Sequence, residues 1–232
     1  MAAPRVVSLV PSATESLLAM GVRPVAVTRF CPTVPGAAPV GGTKDPHLAE
    51  IVALRPDVVV MCVEENREED ADALAAEGLA IAALDIDTVD DVGPQLAELA
   101  ARLGVAAPSL DVPPPLPPDG RTAFVPVWRR PWMTVSGRTY ASSALERLGV
   151  RTAFADHEER YPTVTLEDVR ARGPALVVAP DEPYPFGERH RAELETIAPA
   201  VLVDGRDLLW WGTRTPAALA RLAGVLHPPT GP

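Results

Sequence analysis

The sequence predicts an α/β protein made of two doubly wound, parallel-sheet lobes with a ligand cleft between them. Three observations predict this class. Short apolar runs typical of strands alternate with helical segments in both halves, a proline-rich segment separates the halves, and a stretch of the first half recurs in the second. A length of 232 residues suits one large domain or two small lobes. The sequence has no run of about 18 apolar residues, so no membrane span is predicted.

The first lobe, residues 1–104, alternates strands with helices in a regular order. Ser12 to Glu15 form the pattern of a capping box, and Asp45 followed by Pro46 is typical of a helix start. The predicted strands are residues 6–10, 25–28, 57–62 and 80–84, and the predicted helices begin at residues 12, 45, 67 and 88. Strands separated by helices favour a parallel sheet.

Residues 105–120 carry six prolines, which excludes a helix there. Such a segment favours an extended, semi-rigid spacer. We therefore place the boundary between the lobes in this Pro-rich linker.

The second lobe, residues 121–232, repeats the same alternation. Thr165 is the expected cap of a helix, with Asp168 three residues later. The other predicted elements are strands at residues 122–127, 175–179 and 200–203, and helices at residues 139–148, 188–196 and 216–226.

An internal repeat relates the two halves at an offset of 118 residues. Residues 48–60 align with residues 166–178, so that Pro56 matches Pro174 and Glu64 falls on Glu182. Two similar lobes are expected to leave a cleft, and the loops at the carboxyl ends of the strands are the expected ligand surface.

The charge excludes several classes of partner. The net charge is −10, with 31 acidic and 21 basic residues. Nucleic acids and anionic membranes require a basic face, so neither is predicted as a partner. No basic region followed by an apolar stretch begins the chain. The expectation is a cytoplasmic protein if Met1 is the native start, with an extracytoplasmic location as the alternative.

The aromatic residues give the sharpest functional signal. Ten of the eleven lie after residue 120, most of them in loops that follow predicted strands. Loops rich in Trp, Tyr and Arg suit a flat ligand that is partly apolar and partly anionic. The alternative is that these rings only cover the edge of the second core.

Other candidate residues have a structural and a functional interpretation. Pro11 and Ser12 begin a helix whose N-terminus either binds an anion or is simply capped. Gly42 permits either a tight turn or the close approach of a ligand. Glu64 and Glu182 end equivalent strands, but no nucleophile accompanies them, so no catalytic residue is predicted. The four histidines are scattered and the two cysteines favour structural thiols, so no metal site is predicted.

Several motifs resemble one known family. They are RVVSLVPSATE at residues 5–15, VAVT at 25–28, VGGT at 40–43 and LRPDVVV at 54–60, then RYPTVTLEDV at 160–169 and GPALVV at 173–178. These stretches are similar to the helical-backbone (class III) solute-binding proteins, which are receptors of ABC importers, and in particular to the cobalamin-binding branch. The likeness covers nearly the whole chain. The family has two α/β lobes bridged by a long helix, and here the proline-rich linker stands in place of that helix.

The resemblance implies a function and a set of contacts. It implies that the chain binds a corrinoid such as cobalamin, with haem or a ferric siderophore as the less favoured ligands, and that it acts as a monomer with an ABC permease. It implies that Glu167 docks onto the permease, together with Glu50 beside the equivalent position. The full set of expected ligand contacts, from the loops and the resemblance together, is Pro11, Ser12, Phe30, Gly42, Thr43, Cys62, Glu64, Trp128, Arg129, Arg130, Trp132, Tyr161, Glu182, Tyr184, Phe186, Trp210, Trp211 and Arg214.

Two other functions stay open at this point. One is a cytoplasmic, cofactor-handling protein or enzyme that reuses the fold, with Glu64, Asp181 or Glu182 as its titratable group. The other is an interaction module that uses the acidic helix at residues 67–77, although such a charge run is usually a solvated face.

Overall fold

A computed structural model describes residues 4–228 and divides the chain into two compact units. Unit 1 consists of the residues up to Ile86, Asp90–Leu110 and Trp211–Thr213. Unit 2 consists of Asp87–Val89, Asp111–Trp210 and the residues from Arg214 onwards.

Unit 1 contains one parallel sheet of five strands with helices between them. In chain order its elements are β1 (Val6–Ser8), α1 (Pro11–Ala19), β2 (Ala26–Val27), β3 (Ala38–Pro39), α2 (Leu48–Leu54), β4 (Val58–Cys62), α3 (Glu68–Ala76), β5 (Ile81–Leu84) and α4 (Val89–Leu103). The strand order is β3-β2-β1-β4-β5, and each neighbouring pair is parallel. The doubly wound sheet expected for the first half is therefore present.

Continuous apolar runs explain why the middle of this sheet is buried. All three residues of β1 and all five of β4 are buried. Strands covered on both faces need such runs because neither face meets water. One core of unit 1 joins Val7, Val59 and Met61 of the strands to Ile51 of α2 and Leu74 of α3.

Two helix starts differ from the sequence prediction. The capping box expected at Ser12 does not form: α1 begins at Pro11, and its N-cap, Val10, makes no side-chain cap bond. The helix expected from Asp45 begins at Leu48 instead. Asp45 pairs with Arg29, so its carboxylate is used in a loop contact and not as a helix cap.

Residues 105–119 form neither helix nor strand, but their second part is attached to unit 2. The amide of Leu116 donates to the carbonyl of Arg147 at 2.8 Å, and that of Asp119 donates to the carbonyl of Gly149 at 3.0 Å. The Arg147 guanidinium donates in turn to the Pro113 carbonyl at 2.8 Å. The proline-rich segment thus contains no helix or strand, and its second part is hydrogen-bonded to Arg147 and Gly149.

Unit 2 contains a parallel sheet and a smaller antiparallel one. Its elements are β6 (Thr122–Phe124), β7 (Pro126–Trp128), β8 (Trp132–Thr134), α5 (Tyr140–Arg147), β9 (Arg151–Thr152), β10 (Thr163–Val164), α6 (Leu166–Arg172), β11 (Leu176–Pro180), α7 (Glu188–Leu194), β12 (Ala200–Val203), α8 (Gly205–Leu209) and α9 (Thr215–Leu226). The parallel sheet has the order β12-β11-β6-β9, and the antiparallel sheet has the order β10-β8-β7.

The antiparallel sheet is a departure from the sequence prediction, which expected one strand over residues 122–127. The chain instead passes from β6 into β7, then reverses at Arg129–Arg130 into β8. Its strands are two or three residues long, too short to give a period-2 pattern.

The internal repeat reappears as matching elements at the same offset. Helix α6 lies 118 residues after α2, and β11 lies 118 residues after β4. The C-cap residues Arg55 (φ 45°) and Gly173 (φ 57°) match as well, and both are left-handed. The capping box predicted for Thr165 and Asp168 is present. Among the described helices, none is both long and apolar enough to span a bilayer.

Candidate functional site

Three loops meet at the carboxyl edge of the unit 1 sheet and are bonded to one another. We call residues 28–31, 40–47 and 62–67 the unit 1 loop cluster. Asn66 accepts from the amide of Cys62 at 2.8 Å and donates to the Thr43 carbonyl at 2.9 Å. The ammonium group of Lys44 donates to the Glu64 carbonyl at 3.1 Å. The loop after β3 is therefore tied to the loop after β4, and this edge is held as one surface.

Two apolar side chains project from this surface. Phe30 is 53 % exposed and Val63 is 56 % exposed. The guanidinium group of Arg29 lies over the Phe30 ring at 4.7 Å. Exposed apolar groups of this size at the carboxyl edge of a parallel sheet provide a contact surface for a ligand. Thr43 and Glu64 are half-buried beside them.

Other predicted contacts of unit 1 lie below the surface. Pro11 and Ser12 are buried in the first turn of α1, so that turn is covered. Gly42 is buried, and a Cβ there would overlap the Asp45 carboxylate, so internal packing is enough to require a glycine at this position. Cys62 is 1 % exposed, and burial raises the pKa of its thiol to about 12. The structure thus places Cys62 as a core thiol that stays protonated.

Glu65 is the titratable group of the cluster that the sequence analysis missed. Burial raises its pKa to about 7, the neighbouring Glu64 adds to the rise and Lys44 opposes it. The sequence shows only two adjacent acids, a pattern found on many surfaces. The burial that distinguishes Glu65 arises from the fold.

A cavity of about 350 Å³ adjoins the same loop within unit 1. Its lining includes Met61, Cys62 and Ala71 together with the polar residues Asn66 and Arg67. A volume of this size is near the lower end of the range for small-molecule sites.

In unit 2 the predicted aromatic contacts form one cluster with the core. Trp132 stacks on Phe186 with ring centres 5.9 Å apart and an interplanar angle of 10°. Tyr184 lies 4.7 Å from Phe186 and makes an edge contact with Trp128 at 5.7 Å. Phe186 is 3 % exposed and belongs to the core, whereas Trp128 is 43 % exposed. Phe186 therefore packs in the core, and Trp128 is the most exposed ring of this cluster.

The two arginines between β7 and β8 differ in their partners. Arg129 is bonded to Glu193 of α7 through Nε at 2.9 Å and Nη2 at 3.2 Å. Arg130 is exposed at the turn, in the left-handed region with φ 67°. Of the two, Arg130 is the more accessible cation, while Arg129 is occupied by a carboxylate of its own unit.

Trp210 and Glu182 form a second polar group at the carboxyl edge of the unit 2 sheet. The guanidinium groups of Arg206 and Arg214 lie 5.1 and 5.6 Å from the Trp210 ring. Glu182 accepts a bond from Trp210, lies 3.9 Å from Arg206, and has its pKa raised by burial. Arg214 is fixed by the buried Asp207 at 3.2 Å. Arg206 carries a reachable charge here and was not selected from the sequence, because it lies inside the unpredicted helix α8.

Trp211 is the next residue along the chain after Trp210, but it belongs to unit 1. It is 3 % exposed and belongs to unit 1 with Gly212 and Thr213, where the Thr213 amide donates to Ser16 Oγ at 3.2 Å. The structure thus places Trp211 in a packing role. Tyr161 of unit 2 is half-buried just before β10.

The two expected docking carboxylates lie in the first turns of corresponding helices, one position apart in the repeat. Glu50 lies in the first turn of α2 and Glu167 in the first turn of α6, and both are exposed. Glu50 also lies 3.2 Å from the His47 ring. Within residues 4–228 no three His, Cys, Asp or Glu side chains are grouped so that they could hold a metal ion.

Comparison with known proteins finds relatives that share one name. No family model matches the chain. A vitamin B12-binding protein of Salmonella typhimurium is 29% identical over 194 residues, which covers 77% of this chain and 73% of the relative. Another protein of that name, from Pectobacterium carotovorum subsp. carotovorum, is 28% identical over 209 residues, which covers 77% of this chain and 72% of the relative.

The solved structures agree on the fold. The periplasmic vitamin B12 binding protein BtuF of Vibrio cholerae superposes with a TM-score of 0.79 at 20% identity, covering 96% of each chain. The periplasmic heme-binding protein BhuT gives 0.77 at 20% identity, covering 96% of this chain and 97% of its own. These relatives are named as binding proteins and not as enzymes, and the structural neighbours are named as periplasmic, so the expectation of a cytoplasmic protein receives no support. The resemblance found in the sequence is confirmed: this chain has the α/β fold of the helical-backbone (class III) solute-binding proteins.

Proposed function

We propose that this chain is the solute-binding receptor of an ABC-type uptake system and that it binds a corrinoid such as cobalamin. The observation that carries the proposal is the match to proteins named vitamin B12-binding protein over 77% of the chain. Haem is the second ligand to test, because heme-binding proteins are among the neighbours in fold.

The surfaces of both units are chemically suited to a flat macrocycle. Unit 1 presents the exposed Phe30 and Val63, and unit 2 presents Trp128 beside Arg130. A corrin or porphyrin has broad apolar faces and polar groups at its rim. Aromatic rings stack on such faces, and guanidinium groups bond to amides or carboxylates. We propose that these side chains contact the ligand.

The test is calorimetric titration of the purified protein with cyanocobalamin and, separately, with haem. We expect saturable, one-to-one binding of at least one of them at micromolar concentration or below. Truncating an exposed ring that contacts the ligand removes more than about 1 kcal/mol, which is about fivefold in Kd. The variants Phe30→Ala and Trp128→Ala are therefore each expected to bind at least about fivefold more weakly.

Val225→Ala is the matched control. Val225 is 41% exposed on α9, outside the strand-end loops, so its loss should leave the affinity unchanged. Failure of the wild type to bind either ligand contradicts the proposed function. Wild-type affinity in both ring variants contradicts the proposed contacts while leaving the function in place.

We further propose that the receptor is extracytoplasmic and docks on a permease through Glu50 and Glu167. Both carboxylates are exposed in the first turn of their helices, which suits a charge-steered contact. In vesicles that contain the permease, Glu167→Ala should slow ligand uptake, and raising the salt concentration should narrow the difference from wild type. Glu69→Ala on α3, which also removes an exposed acid, is the control.

We propose that the protein acts as a monomer. Light scattering after size exclusion should then give a mass near 24.6 kDa with and without ligand. A mass near twice that value in either state contradicts the proposal.

A further inference from the structure

We propose that Arg29 and Asp45 are positioning residues whose ion pair fixes the exposed Phe30 ring as a stacking surface for the macrocycle. This inference rests on the proposed function, and it adds the device that holds one of the contacts. We call Arg29, Asp45 and the backbone of Gly41 and Gly42 the clasp.

The ion pair of the clasp is bidentate. Arg29 Nη1 and Nη2 each donate to one oxygen of the Asp45 carboxylate, both at 3.0 Å. The planar guanidinium group matches a carboxylate in this geometry, and lysine cannot reproduce it. The pair links the loop after β2, which holds Arg29, to the loop after β3, which holds Asp45. A second bond joins the same loops, since the backbone amide of Arg29 donates to the Gly41 carbonyl at 2.9 Å.

The packing of the clasp leaves no room for a side chain at either Gly41 or Gly42. A Cβ on Gly42 would overlap the Asp45 carboxylate and stand 2.8 Å from Arg29 Cζ. Gly41 has φ 84°, and a Cβ there would stand 2.9 Å from the His47 ring. The backbone of Gly42 therefore lies directly against the ion pair, where a side chain would disrupt it.

Phe30 depends on this arrangement for its position. Its ring is 53% exposed, so little of the core holds it in place. The guanidinium group that the clasp fixes lies over one face at 4.7 Å, which leaves the other face for a ligand. A ring that is ordered before binding loses less conformational entropy when it binds.

The clasp should affect binding more than folding. Its two side chains are 53% and 61% exposed, and ion pairs that exposed contribute little to stability. Asp45→Asn keeps the shape and removes the charge, so it is expected to fold normally. Arg29→Lys, which keeps the charge but cannot form two parallel bonds, provides a second variant if the first one does not fold.

The first experiment needs no ligand. The protein is labelled with 4-fluorophenylalanine, which gives one ¹⁹F resonance for each of its four phenylalanines. Phe124, Phe154 and Phe186 are at most 3% exposed, and Phe30→Leu identifies the resonance of Phe30. In Asp45→Asn we expect that resonance alone to move towards the shift of free fluorophenylalanine.

The second experiment measures affinity for cyanocobalamin and haem. Asp45→Asn should weaken binding about three- to fivefold, the size of one cation–π contact and its ordering. In a Phe30→Ala background the same substitution should have no further effect, because the clasp acts through the ring. Glu188→Gln is the control, since Glu188 also forms a surface ion pair with two hydrogen bonds, to Arg191 on α7, outside the unit 1 loop cluster.

Each outcome decides a different point. An unchanged Phe30 resonance in both clasp variants overturns the proposal that the pair fixes the ring. Additive losses in the double variant overturn the proposal that the pair acts through Phe30. If the wild type binds neither ligand, the proposed function fails and the ligand role of the clasp fails with it, while the fluorine spectrum still decides whether the pair orders the ring.

Discussion

Replacing Glu65 by glutamine should change the stability of the protein in a way that depends on pH. Burial and the neighbouring Glu64 raise the pKa of Glu65 to about 7, against an ordinary value of 4.5. The folded state therefore favours the protonated carboxyl, whereas the unfolded chain releases its proton near pH 4.5. The wild type should lose stability as the pH rises from 4.5 to 7, and glutamine should remove that loss.

The size of the effect follows from the two pKa values. A rise from 4.5 to about 7 corresponds to about 3 kcal/mol once the pH is well above 7. At pH 5 the stability lost through Glu65 is only about 1 kcal/mol, because the carboxyl is still protonated in the folded protein. Glu65→Gln should thus be more stable than the wild type by up to about 3 kcal/mol at pH 8.5 and by only about 1 kcal/mol at pH 5.

Urea unfolding followed by circular dichroism at pH 5 and pH 8.5 measures this difference. Urea is preferred because guanidinium salts would screen the charges of Glu64 and Lys44. Glu69→Gln on α3 removes an exposed acid and is the control for net charge. A gain of the same size at both pH values, or none at pH 8.5, would refute the argument that Glu65 is held in its protonated form.

The remaining predictions concern packing. Gly212→Ala should destabilise the protein by about 1–3 kcal/mol, because Gly212 has φ 123° and a Cβ there would overlap the buried Ser16 hydroxyl. Gly93→Ala within α4, where a Cβ meets no atom, should instead raise the melting temperature slightly. Asp207→Ala should cost about 3 kcal/mol in urea unfolding, because a carboxylate only 4% exposed would no longer accept the two bonds from Arg221 at 2.6 Å. A loss below about 1 kcal/mol in either destabilising variant would contradict its packing argument.

The parts of the fold that the sequence predicted are those with a strong local signal. The run at β4 and its repeat at β11 are apolar throughout and end in proline or polar residues, so their strands are found within one residue. The repeat of α2 in α6 was visible because buried positions such as Ile51 and Val169 keep the same spacing. Thr165 was found as a cap because its partner Asp168 stands at the expected distance along the chain.

The parts that were missed depend on contacts distant in sequence. Strands β8 and β10 pair with each other across some thirty residues of chain and are too short to show a pattern of their own. Phe186 and Trp211 have the composition of ligand contacts, and only the fold shows that both are buried. Glu65 is one of two adjacent acids, and its raised pKa depends on surroundings that no local pattern records.

The bond from Lys44 to the Glu64 carbonyl has a practical consequence for labelling. Lys44 is the only lysine in the chain, and it lies exposed in the unit 1 loop cluster. Besides the α-amino group of the chain, an amine-reactive dye would therefore modify one side chain, which lies directly between Thr43 and Asp45, without any engineered cysteine. Acylation would remove the positive charge and the three-donor ammonium group that bonds to Glu64. A dye at this position would test the proposed ligand contact of these loops, because a ligand bound beside it should change its fluorescence.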